Sequence, residues 1–87
     1  CRRRWRREVA RHCEEIGRLR ARRDAEALKV DQLEEAGFDL ATLARLERAR
    51  QKLEAAEDAL RRARAAQGET MRAARREGAQ PGWFRGL

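Results

Sequence analysis

The 87-residue chain has room for one small domain, and its 43% charged and 5% aromatic residues supply too little apolar material for a large globular core. It has no Ser and no Tyr, two Thr and one His, and neither a glycine-rich phosphate loop nor an HExxH-type motif. Catalysis is left without a recognisable pairing of nucleophile and base or a metal set, so the chain reads as non-enzymatic, with no cofactor, metal or small-molecule substrate. Its net charge of +7 points instead to a macromolecular partner.

High charge and low hydropathy are compatible with disorder, but the apolar residues are regularly spaced. The first predicted helix runs from about residue 2 to 36. Its stripe of Trp5, Val9, His12, Ile16, Leu19, Val30 and Leu33 follows steps of four and three that define a heptad seam. Arg23 and Glu26 fill the seam positions in the central gap. Gly17 lies inside this helix and weakens it by about 1 kcal/mol relative to Ala; it also offers a place for a neighbour to approach closely.

Residues 37–39 form the predicted turn. Gly37 suits the left-handed residue that ends a helix, Asp39 suits the N-cap of the next, and Phe38 between them is placed to fold back as a hydrophobic staple. The second predicted helix, about residues 40–77, carries the seam Leu46, Ala49, Leu53, Ala56, Leu60 and Ala63, with Leu40 and Leu43 extending it toward the turn and Gln67, Thr70 and Ala74 extending it weakly the other way. Alternating Leu and Ala favours close helix packing. Exposed-face pairs such as Glu14–Arg18, Glu57–Arg61 and Asp58–Arg62 are expected to add about 0.2–0.5 kcal/mol each.

The fold class expected is all-α: an antiparallel, coiled-coil-like two-helix hairpin over residues 1–77. Doubling back at Phe38 makes facing residue numbers sum to about 76, which places Leu33 against Leu43, Val30 against Leu46, Ile16 against Leu60 and Trp5 near Met71. The same register sets His12 near Ala63 and Arg64, and brings Glu26 to Arg50 as an ion pair that would hold the alignment. Gly78, Pro81, Gly82 and Gly86 exclude a continuing helix, so residues 78–87 read as a short non-helical tail. In it, Trp83 and Phe84 are a candidate anchor on a partner or on the hairpin itself.

Charge divides the chain into three. Residues 1–23 carry +7, residues 24–60 carry −5 and residues 61–87 carry +5. A hairpin therefore joins both basic segments at its open end, where they total +12, and leaves the acidic segment at the turn. Arg2, Arg3, Arg4, Arg6, Arg7, Arg11, Arg72, Arg75 and Arg76 gather there as candidate contacts to an anionic partner. Twenty of the 22 basic residues are Arg, whose fork suits bidentate contact with carboxylate or phosphate, although a GC-rich genome also favours Arg.

The expected function is an interaction module that packs into a larger protein assembly through its heptad seams, with the arginine end touching something anionic. Structured RNA in a ribonucleoprotein and an anionic membrane surface are the alternative partners. The thiols of Cys1 and Cys13 lack the number for a disulfide framework and the spacing of a zinc site, and read as reduced thiols of an intracellular protein. No stretch approaches the roughly 20 apolar residues of a membrane span. The chain opens at Cys1 and its only Met is Met71, so a fragment, a processed form and part of a longer chain are all open.

Overall fold

A computed structural model describes residues 1–87. Helix α1 spans Arg2–Ala36, helix α2 spans Leu40–Arg76, and a single 3-10 turn covers Pro81–Phe84. The two helices lie antiparallel against each other in a rod of 58 × 20 × 14 Å. At about 1.5 Å per residue, that is the full length of either helix folded once.

The turn forms for reasons that are local. Gly37 has φ 131° and ψ −172°, a positive-φ extended conformation open essentially to Gly alone. This differs from the left-handed cap expected of it, and it throws Phe38 outward. Phe38 is 86% exposed, so the expected staple does not form. The cap at Asp39 does form: its Oδ2 accepts from the Thr42 backbone N at 3.2 Å, and its Oδ1 accepts from the Thr42 hydroxyl at 2.6 Å. At the other end of α2, the N–H of Ala79 reaches the Ala74 carbonyl and that of Gly78 reaches the Arg75 carbonyl, with Gly78 at φ 91°. This is the paired closure of a Schellman motif. Helix α2 ends at Arg76, one residue short of the predicted 77.

The core is a thin seam. Trp5, Val9 and Val30 are buried on α1, and Leu46, Ala49, Ala56, Leu60, Ala63 and Ala74 on α2. Ile16, Leu19, Leu33 and Leu53 are half-buried between them. The expected pairing of Val30 with Leu46 is present, in a cluster completed by Ala49 and flanked by Leu33 and Leu53. Leu43 does not belong to the seam: it is 41% exposed, and Thr42 is buried in its stead. Two successive steps of three carry Leu43 about 120° around the helix from Ala49. Thr42, seven residues from Ala49, returns to within about 20° of it. Leu33 packs against the cluster of Val30, Leu46 and Ala49.

Toward the open end the register departs from the expected sum of 76. Trp5 meets Glu77, His12 meets Thr70, and Cys13 meets Gln67, pairs whose numbers sum to 82, 82 and 80. Trp5 is thus partnered beyond Met71, and His12 beyond Ala63 and Arg64. Side chains lean toward the N-terminus of their own helix, so a surface spot is covered by a residue about one position further on. In an antiparallel pair the two offsets add, which accounts for about two positions of the difference.

The predicted ion pairs are also redistributed. Glu26 lies 3.6 Å from Lys29, and Arg50 pairs with Glu34 at 3.3 Å, so the expected Glu26–Arg50 bridge is absent. Asp58 pairs with Arg61, and neither Glu14–Arg18, Glu57–Arg61 nor Asp58–Arg62 is formed. The close neighbour expected at Gly17 is not present: a Cβ placed there would meet nothing within 4 Å outside its own helix backbone.

Candidate functional site

The open end of the hairpin is built around Trp5. Its ring is 4% exposed, and its indole N–H donates to the Glu77 carboxylate at 3.0 Å, the partner a buried indole needs. The Arg4 guanidinium lies 4.8 Å from the centre of the same ring, a cation–π distance, and also pairs with Glu8 at 3.3 Å. These contacts tie the first turns of α1 to the last turn of α2 and bring the two basic segments together.

The nine arginines expected at this end are not equivalent. Arg6 is held by the tail: its Nη1 donates to the carbonyl of Trp83 at 2.7 Å and of Arg85 at 3.1 Å. Arg72 is bound to Glu69. That hydrogen bond and then the Arg72 charge hold the Glu69 carboxyl below its ordinary value against desolvation, with the charge of Arg76 the smallest contribution. Arg4 is spent on Glu8 and Trp5, as described. The remaining six, Arg2, Arg3, Arg7, Arg11, Arg75 and Arg76, are exposed, and none has a carboxylate oxygen within 4.0 Å. The last turn of α2 favours Arg75 and Arg76 through the helix dipole. For Arg7 and Arg11, neither an ion pair nor a helix end accounts for the choice.

The tail docks on the hairpin. The 3-10 turn packs against α1, and Trp83 and Phe84 are both half-buried. Leu87 lies beside Arg3, Arg7 and Ala10. The candidate anchor therefore engages its own chain, held by Arg6.

Four functional details were outside the reach of sequence reasoning: the roles of Glu77, Thr70 and Gln67 as partners of Trp5, His12 and Cys13, and the capture of the tail by Arg6. All are contacts across more than 50 residues; heptad spacing puts Gln67 and Thr70 on the seam without naming their partners, and carries no signal for Glu77 or Arg6. Cys1 is exposed and Cys13 half-buried, and both are free thiols; Cys13 accepts from the Gln67 amide at 3.2 Å. No helix is long and apolar enough to cross a membrane. No family model matches the chain, and no curated protein or solved structure matches it either.

Proposed function

We propose that this chain is a non-enzymatic helical interaction module that joins a larger protein assembly and grips an acidic protein surface with its arginine end. The carrying observation is the set of six exposed arginines drawn from both ends of the chain and left without a carboxylate. Such a cluster repels itself until something negative neutralises it. The thin seam supports the assembly half of the reading, because only 10 of 87 residues are buried and small domains of this kind gain stability from a partner.

The aromatics favour protein over nucleic acid as that partner. Single-stranded RNA is read by stacking bases on exposed rings, whereas Trp5 is buried, Trp83 and Phe84 are turned onto α1, and the one exposed ring, Phe38, lies at the turn away from the arginine end.

The test is direct binding of labelled polyglutamate, a single-stranded RNA and vesicles containing anionic lipid, over a salt series. The comparison is with a variant carrying Arg2→Gln, Arg3→Gln, Arg7→Gln, Arg75→Gln and Arg76→Gln. Polyglutamate binding should weaken with salt and fall by about tenfold or more in the variant. Binding that is indifferent to the five substitutions rejects the arginine end as the contact. A selective preference for RNA or vesicles, lost in the same variant, moves the partner to that class.

A further inference from the structure

Along one flank of the hairpin the two helices leave an open groove, and we propose that it seats a third helix, an acidic amphipathic one supplied by an assembly partner. The proposal deepens the assembly half of the reading above and rests on it, but does not depend on the arginine end.

The geometry is that of a missing helix. Near the turn, Leu33 and Ala49 floor a groove of about 520 Å³. Further along, Leu19, Ala59, Ala63 and Ala66 floor a second of about 370 Å³. Arg45, Lys52, Ala59 and Ala66 recur at intervals of seven on α2, so both grooves belong to one flank. From Arg45 to Ala66 the flank extends for about 32 Å, the length of three heptads. Its alanines allow another backbone to approach closely.

The charge of the flank selects the occupant. Arg45, Arg48, Lys52 and Arg62 line the α2 side, the positions between them are Ala, and no carboxylate interrupts them as far as Ala66. None of these four cations forms an ion pair. This occurs inside the acidic segment of the chain, whose residues 24–60 total −5: its carboxylates on α2, Glu47, Glu54, Glu57 and Asp58, occupy other heptad positions. A partner helix with Glu or Asp beside its own apolar stripe meets this α2 edge with opposite charge; on the α1 side Glu26 and Lys29 line the first groove and Glu15 lines the second. A second copy of the chain using the same flank would oppose cation to cation.

The groove also holds an unfinished bond. Glu26 lines it, its side chain is 12% exposed, and its Oε2 is the one buried side-chain oxygen or nitrogen in the molecule without a partner. Buried polar atoms are nearly always satisfied. Its other oxygen pairs with Lys29 at 3.6 Å, so completing Oε2 calls for a neutral donor at that one position of the otherwise acidic incoming helix.

The experiment uses the full chain and a labelled synthetic helix of three heptads with Leu at its seam and Glu beside it. Two comparators are the same composition in scrambled order and the same helix with Lys for Glu. The Glu helix should bind at least about tenfold more tightly than either. The double variant R48E/K52E, both at exposed positions, should lose about tenfold for the Glu helix and gain for the Lys helix, with unchanged helix content. The five-arginine variant removes acidic binding at the open end and should keep the preference for the Glu helix over both comparators. Equal binding of the scrambled peptide overturns the proposal, as does indifference to R48E/K52E or loss of that preference only in the five-arginine variant. A wild-type chain that sediments as a dimer, and R48E/K52E as a monomer, would put a second copy in the groove and overturn it too.

Discussion

The same substitution at two glycines should move stability in opposite directions. Gly37 sits at φ 131°, ψ −172°, and a Cβ built there would meet only the Asp39 Oδ1 at 3.9 Å, an ordinary contact. Gly37→Ala therefore tests backbone strain free of any clash. Strain in this region costs about 1–3 kcal/mol, and restricting the unfolded chain returns about 0.4–1 kcal/mol. The net destabilisation is about 1–2 kcal/mol, a fall in Tm of roughly 5–15 °C for a domain of this size. Gly17 is helical, exposed, and has nothing within 4 Å of its built Cβ. Gly17→Ala should therefore stabilise by about 0.5–1 kcal/mol and raise Tm by roughly 3–8 °C. Thermal and urea unfolding followed by circular dichroism measures both, with sedimentation as a check on shape. A Gly37→Ala chain as stable as wild type would refute the assignment of the turn to this glycine.

Two further expectations follow from the seam and the cap. Leu60 is 3% exposed, so Leu60→Ala should cost about 2–5 kcal/mol, whereas Leu43→Ala at a solvent-facing position should cost less than about 1 kcal/mol; equal costs in urea unfolding would reject the observed phase of α2. The hydrogen bonds from the side chain and then the backbone of Thr42 hold Asp39 below its ordinary value of 3.8. With the folded value depressed, the contribution of the ionised cap is complete above the unfolded value and is lost as pH falls through the folded one. The stability difference between wild type and Asp39→Ala should be flat at neutral pH and shrink in acid; a difference that grows in acid would contradict the cap.

Much of the architecture is legible from spacing. The two heptad stripes name nearly all of the buried residues of both helices, because a seven-residue repeat keeps one face toward a partner whatever that partner is. Gly37 and Asp39 mark the turn because their preferences act within three or four residues. The misassignment of Leu43 shows where spacing needs care: a leucine three residues from another seam leucine attracts notice, but the helix turns it out and brings Thr42 in. The gathering of arginines at one end was also visible, since it needs only the doubling back of the chain. Which of them are spent was not. Arg6, Arg4 and Arg72 are indistinguishable from Arg7 or Arg11 in sequence, and differ only in what the fold sets beside them.

Sequence alone therefore determined the elements, their faces and the segregation of charge, all of which arise from interactions within a turn or two of one helix. Tertiary structure alone decided the alignment of α1 on α2 at the open end, the partners of Trp5 and His12, the return of the tail onto Arg6, and the cationic flank left open beside the seam. Those features depend on how two inclined sets of side chains interlock across an antiparallel interface. Sliding one helix past the other by a few residues leaves every local preference satisfied, and only the contacts between the helices tell the alignments apart.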